Sequence, residues 1–78
     1  MTMLKWTREL GSHSAELGSF TYTATYDRHA RLWLLVVRHQ WVNAGFVHSV
    51  RLAGTSSTTL ASCKSYAARH ARDNIDFS

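Results

Sequence analysis

The sequence predicts an α+β fold: a three- to four-stranded antiparallel meander with one C-terminal helix packed on one face, in the order β-β-β-(β)-α. Three observations predict it. Ser19 to Tyr26 alternates, with Phe20, Tyr22, Ala24 and Tyr26 on one side and Thr21, Thr23 and Thr25 on the other, the period of a half-buried strand. Arg31 to Gln40 is apolar on both sides. Ser56 to Asn74 loses the alternation and spaces Leu60, Cys63, Ala67, Ala71 and Ile75 by threes and fours, one stripe of a helix.

Taken in order, Leu4 to Leu10 reads as a short strand with Leu4 and Trp6 on one side. Gly11 to Leu17 reads as a loop, with a helical turn as an alternative from Ser12 to Leu17. Proline is absent, so turns are marked by Gly, Asn, Asp and Ser. Asp27 to Ala30 is the expected hairpin loop before the Arg31–Gln40 strand. That strand carries Leu32, Leu34 and Val36 on one face and Trp33, Leu35 and Val37 on the other, so it is expected to be central and covered on both sides. After a turn at Asn43 to Gly45, Gly45 to Leu52 forms a further strand. Phe46, His48, Val50 and Leu52 lie on one side of it, and Val47, Ser49 and Arg51 on the other. Ser57 or Thr58 suits the helix N-cap. Arg69, His70 and Arg72 stand near the helix C-terminus, where cations meet the helix dipole favourably. The small residues of the stripe let the helix lie close to the sheet.

One helix covers one face, yet the Arg31–Gln40 strand is apolar on both. The second face therefore needs another layer. A second copy of the sheet is the expected source, giving a homodimer with Leu32, Leu34, Val36 and Trp41 at its interface. The alternatives are a partner protein on that patch or the N-terminal segment folded across it.

Seventy-eight residues make a single domain, 1–78, and exclude a two-domain enzyme or a nucleotide-binding α/β fold. The chain is 45% hydrophobic and 18% charged, a globular rather than a disordered composition. A single cysteine excludes an internal disulfide and a cysteine-rich zinc module, and suits a reducing compartment. The N-terminus lacks an apolar signal core, and the longest apolar run, Leu32 to Val37, is far short of the ~20 residues a spanning helix needs. A cytoplasmic location without membrane association is expected.

Nothing in the sequence points to catalysis. Cys63 sits on the apolar helix stripe, where it reads as a small hydrophobe. No Gly-x-Ser-x-Gly elbow or Gly-rich phosphate loop occurs. Glu9, Glu16, Asp27, Asp73 and Asp76 are not paired by spacing. His13, His29, His39, His48 and His70 lack metal-ligand spacing, although His39 and His48 are expected to face each other across a hairpin. No enzyme activity, catalytic residue, cofactor or metal is expected.

Binding is the better expectation. Nine Lys and Arg against five Asp and Glu give a net charge of +4, which favours nucleic acid or acidic partners. Lys64 and Arg72 share a helix row with Ala68, Arg69 lies a little over a turn from Lys64, and Arg51 stands upstream. Such a row can track phosphates. Thr55 to Thr59 add hydroxyls and main-chain N–H groups at the helix start, an anion-binding arrangement. Phe20, Tyr22 and Tyr26, followed by Arg28 and Arg31, could stack bases but read better as packed under the helix. The leading expectation is a non-enzymatic module contacting nucleic-acid phosphates through Arg51, Lys64, Arg69 and Arg72. The alternative is a protein-interaction module, such as a phage factor binding a host protein through its apolar sheet face.

Two resemblances bear on this. Ser57 to Ala68, with Ser57, Lys64, Ala67 and Ala68 in matching places, resembles the final helix of double-stranded RNA-binding domains. That likeness implies strands running into a phosphate-gripping helix. The family's two gripping lysines are Thr58 and Thr59 here, and its first helix has no counterpart, so the likeness is one of topology. Gly18–Tyr22, Trp33–Val37 and Gly54-Thr55 through Ala68 together resemble small orphan proteins of actinobacterial phages, which implies a phage origin and an accessory or host-interaction role.

Overall fold

Strand-forming residues continue from Thr7 to Ser57 with short breaks. The computed structural model, which describes residues 4–74, folds them into one five-stranded antiparallel sheet. The strands are β1 (Thr7–Glu9), β2 (Ser12–Leu17), β3 (Phe20–Asp27), β4 (Leu32–Asn43) and β5 (Phe46–Ser57), and helix α1 (Leu60–Asn74) follows. They stand in chain order, each hydrogen-bonded to the next. The α+β class and the single C-terminal helix are as predicted. The strand count is five rather than three or four.

The added strand is β2, within the stretch read as a loop. Its sequence, Ser-His-Ser-Ala-Glu-Leu, buries only Ala15, so hydropathy carries no period there. Pairing with β1 on one side and β3 on the other makes it a strand. The first strand is shorter than Leu4–Leu10, and β5 outruns its expected end at Leu52. The helix starts at Leu60, one or two residues later than a cap at Thr58 or Ser57 would begin it. Its N-cap is Thr59, not Ser57 or Thr58: Thr59 Oγ1 accepts the Ser62 N–H at 3.2 Å. Ser57 Oγ accepts the Thr59 N–H at 3.3 Å, steadying the approach to the cap. Ile75 and Asp76 lie outside the described residues.

Tight turns fix the register. At the β4–β5 turn, Ala44 (φ 54°) and Gly45 (φ 81°) are both left-handed. That is the pattern of a two-residue turn whose twist matches its flanking strands. For Ala44 this costs on the order of 1 kcal/mol, which the hairpin imposes. Asp27 Oδ1 accepts the N–H groups of His29 (2.9 Å) and Ala30 (3.2 Å), closing the β3–β4 loop. Between Val37 and Arg38 the β4–β5 ladder shifts: Val37 opposes Ala53 and Arg38 opposes Arg51, so Leu52 is the extra residue of a bulge.

The helix lies on one face. Cys63, Ala67 and Ala71 meet Tyr22 and Ala24 of β3 and Leu35 and Val37 of β4, all buried. Alanines on both sides let the helix come close, as its narrow stripe predicts. Leu4 and Trp6 pack against this same cluster. Leu4 to Trp6, the described start of the chain, therefore join the helix side and not the opposite face.

One polar pair is set into this layer. The hydroxyl of fully buried Tyr22 is hydrogen-bonded to His70 Nδ1 at 2.9 Å. Burial pushes both the Tyr22 phenol and the Cys63 thiol above their ordinary values of 10.0 and 9.0. The folded state thus holds two protons that the unfolded chain releases. The stability this contributes is complete below about pH 9 and is lost as pH rises through the two folded-state values. Urea midpoints should fall as the pH is raised from 8 to 10.5. Tyr22→Phe should cost about 1 kcal/mol at pH 7, from its lost hydrogen bond, yet decline less in alkali than the parent. A parallel decline in both would show that the phenol is not the titrating group.

Candidate binding surface

The face of the sheet opposite α1 carries no layer among the described residues. Alternation along β4 puts Leu32, Leu34, Val36 and Arg38 there, between the Thr21–Thr23–Thr25 row of β3 and Gly54 and Ser56 of β5. Leu34 is 39% exposed, against 1% for its neighbour Leu35 on the helix side. Among the described residues, the helix side of β4 is closed and its other face is open. Leu34, Val36, Gly54, Ser56 and Arg51 line a shallow concavity of about 370 Å³.

At the rim of this surface Arg38 and Arg51 stand directly opposite each other on neighbouring strands. Like charges so placed repel, and neither makes an ion pair with a described residue. Arg51 lies back along its strand. A Cβ added at Gly54 would come 2.6 Å from its Nη2 and 2.9 Å from the Leu35 carbonyl oxygen, so glycine is what leaves the guanidinium room. The surface thus combines exposed Leu34 and half-buried Leu32 and Val36, a hydroxyl row and two guanidinium groups without an ion-pair partner among the described residues.

The four predicted phosphate contacts do not converge. Arg51 lies on the open face, on the other side of the sheet from the helix. Lys64 leans towards the N-terminal segment, with Nζ 5.4 Å from the centre of the Trp6 ring. Arg72 points outwards beside Asp73 (Nε–Oδ1 3.8 Å), a pair too exposed to contribute much. Arg69 overhangs a groove of about 420 Å³ between β5 and α1, lined by the hydroxyl residues Thr55, Ser56, Ser57, Ser62, Ser65 and Tyr66. Arg69 is therefore the one predicted contact set among hydroxyls, in the region read as an anion site.

The predicted interface residues are also divided. Leu32, Leu34 and Val36 share the open face, whereas Trp41 lies on the helix side of β4, beyond the helix. There β4 and β5 project as a hairpin arm on which every residue from Gln40 to Leu52 is exposed. His39 does not face His48. His39 opposes Val50 and Trp41 opposes His48, so the indole is stacked between the two imidazoles at 5.3 and 5.4 Å. Among the described residues no group of three or more His, Cys, Asp or Glu could hold a metal ion, and no helix is long and apolar enough to cross a membrane. Cys63 is fully buried, and its thiol donates to the Trp33 carbonyl at 3.6 Å.

The residue missed by sequence reasoning is Arg38. A signal for it existed: five steps back from Asn43 and five forward from Phe46 bring Arg38 opposite Arg51. No family model matches the chain, and no curated protein or solved structure matches it.

Proposed function

We propose that this chain is a non-enzymatic binding module that docks a protein partner on the open face of its sheet. The observation that carries the reading is the Arg38–Arg51 pair, without an ion-pair partner among the described residues, beside exposed Leu34 and half-buried Val36 on a face those residues do not cover. A partner presenting carboxylates next to aliphatic side chains would remove the like-charge repulsion and the exposed apolar area together.

The second reading is contact with nucleic-acid phosphates through α1, and Arg69 over its hydroxyl-lined groove favours it. Salt separates the two, because phosphate contacts weaken steeply with ionic strength and a buried apolar interface does not. Immobilised protein should be offered a cell lysate and a mixed nucleic-acid pool at 50 and 500 mM salt. The first reading expects protein capture that survives high salt and is abolished by Leu34→Asp. Capture of nucleic acid alone, lost at high salt and in the Arg69→Ala/Arg72→Ala double variant, would replace it with the second.

A further inference from the structure

Strand β5 has β4 on one flank and no strand on the other among the described residues. Its outer main-chain N–H and C=O groups form a row of the kind that recruits another strand. The opposite edge of the sheet is protected. β1 has only three residues, and two of them are Arg8 and Glu9. From His39 to Val50, by contrast, the chain has no Lys, Arg, Asp or Glu.

Among the described residues, nothing else in the chain supports the arm. β3 stops pairing with β4 at Phe20 and His39, and Ser19 O accepts a last hydrogen bond from Gln40 N at 2.8 Å. Beyond that point the arm is a two-stranded ribbon, an arrangement marginal in water. Its side chains Trp41, Val42, Phe46, Val47 and Val50 are 40–71% exposed. Phe46, Val47 and Val50 stand on the edge strand itself, where a paired strand would lie against them.

We propose that β5 pairs antiparallel with β5 of a second copy of this chain, about a two-fold axis at His48, joining two sheets edge to edge. The occupant follows from charge and symmetry. Two chains of net charge +4 repel, and this twelve-residue interval is where they meet without like charges. Antiparallel pairing of one segment with itself is two-fold by construction. Centring at His48 sets Phe46 against Val50 of the second copy, an aromatic–aliphatic pair, and leaves Arg51 outside the paired stretch. Each arm then supplies the other with its missing third strand. The pairing lies in the plane of the sheet, so it goes beyond the open-face reading and leaves that face free.

The geometry selects the test. The two-residue turn makes Asn43–Phe46 a hydrogen-bonded pair, so by alternation Val47 and Ser49 aim their main-chain groups away from β4. Ser49→Pro therefore removes an outward N–H without touching the hairpin's own ladder. Val47→Lys places a charge on the same edge at a side chain 70% exposed. Light scattering on a sizing column should give a mass near twice 8.8 kDa for the parent at 100 μM and the single mass for both variants, with circular dichroism unchanged. His48→Cys should form a covalent dimer on mild oxidation, because the axis brings the two thiols together while Cys63 is buried. A monomeric parent at 100 μM would overturn the proposal. So would a dimer that persists in Val47→Lys and yields no disulfide in His48→Cys. A dimer broken by Leu34→Asp but not by Val47→Lys would also overturn it, by placing the contact on the open face instead.

Discussion

Replacing Leu35 with alanine should lower the unfolding free energy by about 3–5 kcal/mol, the upper part of the range for buried leucines. Two facts set the size of the effect. Leu35 is 1% exposed and sits beneath α1, in the half of β4 held between β3 and β5. The residues around it include Ala24, Cys63, Ala67 and Ala71, which are too small to swing into the space it would vacate. A domain of this size has roughly 4–12 kcal/mol of stability, so the loss would leave a substantial unfolded fraction. Urea unfolding followed by tryptophan fluorescence would measure it. Leu34→Ala, one residue away on the open face, should cost less than about 1 kcal/mol. Equal losses at the two positions would show that the open face is as buried in solution as the helix side.

Ala67→Leu should also be severe, and for the opposite reason. Ala67 lies at the centre of the helix stripe, fully buried between Cys63 and Ala71. A leucine there must lift the helix or displace Tyr22 and Val37, at a cost of about 1–3 kcal/mol. Lifting the helix would also separate Tyr22 from His70, so the variant should lose part of its near-ultraviolet tyrosine signal. Ala68→Leu, on the exposed side of the same turn, should stay within about 0.5 kcal/mol of the parent. Similar losses for the two would mean that the helix does not lie flat on the sheet.

The parts of the fold that sequence reasoning recovers are those where side-chain chemistry and burial share a period. In β3 every second residue is Phe, Tyr or Ala, and α1 carries a small apolar residue at each fully buried position, so each reveals its own geometry. β2 does neither, because its place is set by main-chain hydrogen bonds to two neighbours rather than by its own hydropathy. The last residues of β5 fail in the same way. Gly54, Thr55, Ser56 and Ser57 read as a turn, yet they complete the ladder to Trp33. The bulge at Leu52 adds a further obstacle. Val50 lies on the helix side, as does Ala53 three residues later, so a period of two carried straight through changes faces midway. At the candidate surface, the apolar run of β4 shows that a second face exists but not which charges border it. Arg38 and Arg51 are thirteen residues apart, and only the register brings them together.

Strand β4 runs unbroken from Leu32 to Asn43, and it behaves as a clamped beam. One half is held between β3 and β5 under the helix. The other overhangs by about 15–20 Å at the usual rise per strand residue. Bending in such a beam concentrates where the clamp ends, here beside the bulge at Val37 and Arg38. A load at the Ala44–Gly45 tip therefore turns the arm about that fulcrum instead of straining the core. A small rotation beside Arg38 therefore becomes a displacement of several ångströms at Phe46.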